Sequence, residues 1–140
     1  MTWAIENRGT LVRVQGSPGD TSSHVEMRLG EPAANPYFYM ASNIAAGLDG
    51  IRRGVEPPPA ADADPYAIEA PPLPASLAEA VNALDADTFY RKVFGDTLVS
   101  YLVMMKRFEL GRYQEALAKS PPPDGQDVSD WEMREYFEFF

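Results

Sequence analysis

The chain has 140 residues, enough for one domain with a real core, and its hydrophobic content of 45% and charged content of 24% are ordinary for a globular protein. A net charge of −9 and the absence of cysteine exclude a disulfide framework, thiol chemistry and an extended nucleic-acid surface, which needs clustered Lys and Arg. No apolar run is long enough to span a bilayer, and the start lacks a charged-then-apolar export pattern, so a cytoplasmic protein without a membrane partner is expected.

Residues 8 to 15 alternate, with Thr10, Val12 and Val14 on one face and Leu11 and Arg13 on the other, which predicts a strand. The following "GSPGDTSS" is turn-forming by its Gly, Pro and Asp content. Residues 24 to 29 alternate again. Val25, Met27 and Leu29 share one side; His24, Glu26 and Arg28 share the other. Two neighbouring antiparallel strands are the simplest arrangement. Trp3 and Ile5 lie in strand-like sequence too, so a third strand is open. So few strands make a marginal sheet, and the chain reads as the end of a larger protein.

A helix follows in "AANPYFYMASNIAAGLDGIRRG". Asn35 is its cap, Pro36 its first residue and Gly54 its stop, and Arg52 and Arg53 suit its carboxyl end. Tyr37, Met40, Ala41, Ile44, Leu48 and Ile51 form an apolar stripe, expected to pack against something. The stretch from Glu56 to Pro74 is a proline-rich loop, either functional or wrapped over a surface. Ser76 and Glu79 open a second helix with a capping box, its apolar positions being Leu77, Ala80, Val81 and Leu84. "ADTFYRKVFG" predicts a short helix ending at Gly95. "DTLVSYLVMMKRFELGRYQEAL" predicts a long one, with Leu98, Tyr101, Leu102, Met105, Phe108 and Leu110 inward and Lys106, Arg107 and Glu109 wet. After Pro121–Pro123 and Gly125, "SDWEMREYFEFF" predicts a last helix capped by Ser129 or Asp130. Two or three antiparallel strands followed by four or five helices make an α+β fold.

Arg8, Arg13, Glu26 and Arg28 are the chemistry-bearing residues of the strand region. Two readings stand side by side. Cross-strand Glu and Arg form surface ion pairs worth about 0–1 kcal/mol. Alternatively, forked guanidinium donors on adjacent strands suit phosphate or carboxylate, with Glu26 able to hold a hard cation such as Mg²⁺.

"NRGTLVR", "VEMRL", "ANPY" and "AAGLDGI", in this order, resemble the carboxyl-terminal part of the glutamine synthetase family. The family pattern is an Asn-Arg pair, an Arg five residues after the first, a Glu-x-Arg on the next strand, then Asn-Pro-Tyr leading a helix that ends in Gly-Leu-x-Gly. Arg8 to Arg13, Glu26-Met27-Arg28, Asn35-Pro36-Tyr37 and Gly47-Leu48-Asp49-Gly50 keep it. The ending "DWEMREYF" is similar to the branch that includes gamma-glutamyl-amine ligases.

The resemblance implies that residues 1–140 are the carboxyl-terminal part of a catalytic domain of β-barrel and helices, without its first half and without the amino-terminal β-grasp domain. It implies an ATP-dependent ligase. ATP phosphorylates the side-chain carboxylate of glutamate, and ammonia or an amine then displaces the phosphate. Arg8 would touch the gamma-phosphoryl group, Arg13 the nucleotide phosphates, Glu26 a Mg²⁺ or Mn²⁺ ion, and Arg28 the transferring phosphoryl group. His24 stands where the family often has a basic residue reaching the nucleotide; a solvated side chain is the plain alternative. Tyr66 falls where some bacterial members carry a nucleotidylated tyrosine, but "DPYAIEA" matches that site poorly and an ordinary loop tyrosine is expected. Complete members form a homo-oligomeric double ring. One carboxylate cannot hold two metal ions, so this chain alone is expected to be inactive. A non-catalytic assembly protein or a truncated remnant is the competing expectation.

Overall fold

The computed structural model describes residues 2–61, 63–122 and 128–137 and divides into two compact units, Met1–Pro72 and Leu73–Phe140.

The first unit holds a three-stranded sheet in the order β1-β2-β3, with β1 at Trp3–Ile5, β2 at Val12–Gln15 and β3 at His24–Met27. The expected antiparallel pair is β2 with β3, in register Val12 to Met27 and Arg13 to Glu26. The third strand differs from expectation. β1 pairs with β2 in parallel, Trp3 opposite Val12 and Ile5 opposite Val14. Residues 8–11 are therefore a turn and not the start of β2. The cause is local competition for the main chain. The Asn7 side chain accepts from the Gly9 N–H at 2.9 Å, and the buried Thr10 hydroxyl reaches the carbonyls of Asn7 and Val12 at 3.0 and 2.9 Å. The chain doubles back, so that β2 begins beside Trp3.

Alternation and register give the sheet two unlike faces. Trp3, Ile5, Val12, Val14, Val25 and Met27 share one; Ala4, Arg13, Gln15, His24 and Glu26 share the other. The outer edge of β1 is closed by the proline-rich segment. Ala61, buried, gives its N–H to the Trp3 carbonyl at 2.8 Å, and the Trp3 indole N–H donates to the Pro58 carbonyl at 2.6 Å. Prolines lack the N–H that would extend the sheet further, so this segment wraps the edge without templating another strand.

Helix α1 spans Pro36–Arg52. Asn35 accepts from the N–H groups of Tyr37 and Phe38, and Pro36 opens the first turn. Gly54, at φ +61°, lets the Val55 N–H reach back to the Gly50 carbonyl at 2.9 Å. The expected apolar stripe is present but uncovered. No residue of α1 is buried, and Tyr37, Met40, Ile44, Leu48 and Ile51 are exposed.

The second unit is helical: α2 at Leu77–Ala86, α3 at Thr88–Phe94, α4 at Asp96–Lys119 and α5 at Asp130–Phe137. Ser76 caps α2 through the Glu79 N–H, and Glu79 returns a bond to the Ala75 N–H at 2.8 Å. Gly95, at φ +86°, turns the chain between α3 and α4. The core is Val81, Val99 and Val103, with Leu84, Tyr90, Phe94 and Leu110 packed on it. The expected inner face of α4 holds in part: Leu110 packs on the core and Leu98 and Leu102 are half-buried. Val99 and Val103 point inward, and Tyr101, Met105 and Phe108 are exposed. The apolar band of α4 is wide enough to support either face.

Helix α5 is capped by Ser129, whose hydroxyl accepts from the Glu132 N–H while the Glu132 carboxylate accepts from the Ser129 N–H. Arg112 grips Glu135 with two bonds of 2.7 Å and lies over the Trp131 ring. The Tyr136 hydroxyl donates to Glu109, which also receives Lys106, so Glu109 is a bridging group and not the wet residue expected. Pro123, Gly125 and the terminal Phe139 and Phe140 lie outside the described residues. Among the described residues no helix is long and apolar enough to cross a membrane.

Val99→Ala removes two methyl groups from the centre of this unit and is expected to cost about 2 kcal/mol, read as a lower urea midpoint. Burial, then the bond to Glu109, pushes the Tyr136 phenol well above its usual range. A raised acid contributes stability that is full below the unfolded value and lost as pH rises, so Trp131 emission should report release of α5 above about pH 10. Tyr136→Phe should flatten that transition.

Candidate functional site

The polar face of the sheet gathers the charged residues. Direct opposition of Arg13 and Glu26 in the β2–β3 register puts guanidinium and carboxylate together, and Glu26 is followed on the same face by Arg28. Arg13 Nη1 donates to Glu26 Oε2 at 3.3 Å, and Arg28 Nη1 lies 3.3 and 3.4 Å from the two Glu26 oxygens. A fourth member was not foreseen. Glu6 Oε2 accepts from Arg13 Nη2 at 2.7 Å, the shortest contact of the group, and its other oxygen accepts from the Gly16 N–H at 3.4 Å. Glu6 follows β1 directly and holds φ at +55°, while its N–H reaches the Val14 carbonyl at 2.9 Å. That ladder bond keeps an unfavourable backbone in place and aims the side chain at Arg13. The available signal was the position of Glu6 at the end of a strand-like run, next to Asn7.

The result is an alternating row, Glu6–Arg13–Glu26–Arg28. Arg13 is the least exposed, with 12% of its side-chain surface open. Its hydrogen bond to Glu6, against some cost of burial and with help from Glu26, holds its proton more firmly still. The Glu6 carboxyl is held below the ordinary range, chiefly by that same bond. For Glu26, burial pushes upward, but the combined pull of Arg13 and Arg28 outweighs it and the carboxyl also sits low.

His24 faces Gln15 across the same pair of strands. Its Nδ1 lies 2.7 Å from the Ser22 carbonyl, which only accepts, so Nδ1 carries a proton. Its Nε2 lies 2.8 Å from the Gln15 side-chain oxygen. Both nitrogens are committed. Arg8 is placed differently from expectation. It stands on the turn before β2, exposed, with no hydrogen bond or ion pair among the described residues. The sheet therefore brings Arg13, Glu26, Arg28 and His24 to one face and leaves Arg8 on the adjoining turn.

The donor set favours anions over cations. Arg13 Nε is buried without a hydrogen-bond partner, and the Arg8 guanidinium is uncommitted. Both Glu26 oxygens, by contrast, are already on guanidinium groups, and among the described residues no three His, Asp or Glu side chains converge to hold a metal. The residues present do not by themselves fit Mg²⁺ or Mn²⁺. In this arrangement Glu26 is paired with both Arg13 and Arg28.

The catalytic-domain family of glutamine synthetase matches residues 1–136. The chain belongs to the glutamine synthetase family. It is 45% identical over 137 residues to gamma-glutamylanilide synthase of an Acinetobacter species, covering 96% of this chain and 27% of that relative. It is 35% identical over 146 aligned residues to glutamine synthetase of Pyrococcus abyssi, covering 98% and 33%. Human lengsin is 33% identical over 111 residues, covering 78% and 22%. The chain thus spans a third or less of the length of these relatives. The arginine-bearing strands lie inside the matched region.

Glu6 and Glu26 both titrate low in the folded state, so they add stability that is present above about pH 4 and lost as pH falls through their folded values. Acid titration followed by amide exchange should show the β2–β3 ladder opening first on that side of neutrality. Glu26→Gln is expected to reduce this acid sensitivity and to lower stability at pH 7; an unchanged acid limb would mean that Glu26 contributes nothing to it.

Proposed function

We propose that this chain supplies one wall of the active site of a glutamine synthetase-like, ATP-dependent ligase that joins ammonia or an amine to the gamma-carboxylate of glutamate. The observation that carries this reading is the convergence of Arg13, Glu26 and Arg28 on one sheet face, in a chain of this family.

A carboxylate is a poor acyl donor, because its leaving group would be oxide. Phosphorylation by ATP replaces that with phosphate, and the amine then attacks the acyl phosphate. The chain's own part is electrostatic. Charge spreads over the transferring phosphoryl oxygens, and preorganised guanidinium groups stabilise it without rearranging at the moment of reaction. Arg28 and Arg8 take this part on the phosphoryl group, and Arg13 contacts the nucleotide phosphates. His24 supports the strand pair from which these arginines project. Glu6 and Glu26 keep the guanidinia fixed when no substrate is present. A polyphosphate must compete with these two carboxylates, which sets a threshold favouring ligands of several negative charges.

A non-catalytic assembly role is the second reading, favoured by the lack of a cation-binding cluster among the described residues and by the uncovered stripe of α1. The two readings separate in one titration. Under the ligase reading, the 140-residue chain binds inorganic triphosphate weakly, and Arg28→Ala weakens binding about tenfold, as expected for loss of a charge-assisted contact. Unchanged binding in Arg28→Ala, or none in the parent chain, removes the phosphate reading. With Mg²⁺ or Mn²⁺, ATP, glutamate and ammonium, no phosphate release is expected from this chain alone; turnover would overturn its assignment as an incomplete site.

A further inference from the structure

Arg8 is the proposed phosphate contact that stands on the turn before β2, so its usefulness depends on what holds that turn. Two bonds close that turn from inside: Asn7 Oδ1 from the Gly9 N–H, and the Thr10 hydroxyl to the Asn7 carbonyl. Both span Arg8. From outside, the turn is pressed by a distant part of the chain. A Cβ built on Gly9 would lie 2.6 Å from Pro65 Cγ and 3.2 Å from Tyr66 Cε2. Gly9 is not among the residues of positive φ, so its backbone conformation is open to any residue and only the space is not. The glycine is required because the Pro65 ring sits where a side chain would begin, and a proline ring cannot swing away.

Pro65 and Tyr66 are in turn anchored. They form the 3-10 turn Pro65–Ala67, capped by Asp64, whose carboxylate accepts from the Tyr66 N–H at 2.9 Å. The same proline-rich segment is tied to β1 through the Ala61 N–H on the Trp3 carbonyl and the Trp3 indole on the Pro58 carbonyl. It is a strap with three attachments, two on the edge strand and one on the turn of Arg8.

We propose that the Pro65–Tyr66 turn is the positioning element of Arg8: by filling the space above Gly9 it fixes the turn from which that guanidinium is presented to phosphate. The functional half of this inference rests on the phosphate reading above. Pro65 is the main filler of that space; Tyr66 is 85% exposed and brings only a ring edge near it, Cε2 lying 3.2 Å from where a Gly9 Cβ would stand, so any part it takes is played by ring carbons.

The test uses the whole chain with two readouts. In amide exchange, Pro65→Ala and Tyr66→Ala should speed the Gly9 N–H about tenfold by letting the turn open locally, while Val14 and Val25 stay unchanged. Tyr66→Phe should behave as the parent. In titrations with inorganic triphosphate, Tyr66→Ala should weaken binding about threefold in the parent background and not at all on Arg8→Ala, the signature of coupling between the two positions. Unchanged exchange at Gly9 overturns the positioning claim outright. Equal weakening with and without Arg8 overturns it too, because the turn would then be acting on general stability. If the parent chain binds no triphosphate, the phosphate reading falls and takes the functional half with it, and the exchange result alone decides whether Pro65 and Tyr66 hold the turn.

Discussion

Arg13 is the group on which the first unit is organised. It lies between Glu6 and Glu26, one carboxylate contributed from the end of β1 and one from β3, so a single guanidinium ties all three strands on their polar face. Three short strands have little else to hold them. Their ladder is only three pairs long on one side and four on the other, and the opposite face is apolar and largely open. A planar fork with five donors can serve both carboxylates at once, which a lysine could not do with the same geometry. The arrangement also explains why the strained residue of this unit is Glu6. Its positive φ is tolerated because the side chain is bonded to Arg13 and the main chain to Val14.

That same balance bears on function. Two carboxylates and two guanidinia in a row are close to neutral together, so the site does not build up a field that would attract any passing anion. What it offers is exchange. Under the phosphate reading, a ligand oxygen that replaced Glu6 or Glu26 would find guanidinia already oriented. Preorganisation of this kind lowers the reorganisation needed when charge develops on a transferring group.

What was legible in the sequence divides along a physical line. Local signals carried through: Asn35 and Pro36 at the start of α1, Gly54 and Gly95 at positive φ, Ser76 and Ser129 as caps. Strand alternation placed Glu26 and Arg28 on one face, and the structure set Arg13 against them. The misreadings arose where two local tendencies compete or where the decisive partner is far away in sequence. Alternation extended β2 back to Arg8, but side-chain bonds from Asn7 and Thr10 to the main chain won. Periodicity gave α4 an apolar side but not which of two apolar sides faces α2, since Val99 and Val103 compete with Tyr101, Met105 and Phe108. The parallel pairing of β1 and the part played by Glu6 depend on register, which a single strand does not encode.

The proline-rich segment shows the same point from the other side. By composition it is a loop, and by length it is an uncommon one for a compact domain. Its prolines have a positional logic only once β1 is known to be an edge. An ordinary strand laid along that edge would expose a new row of N–H groups to any neighbouring chain; a segment broken by Pro57, Pro58 and Pro59 makes one good main-chain bond, from Ala61 to Trp3, and offers little beyond it. The strap therefore ends the sheet and, in the same run of residues, reaches the turn that carries Arg8. Edge protection and presentation of a charged group are thus joined in one covalent element, so a change that loosens the strap at Pro58 or Ala61 would be felt at Gly9 without touching any residue of the charged row.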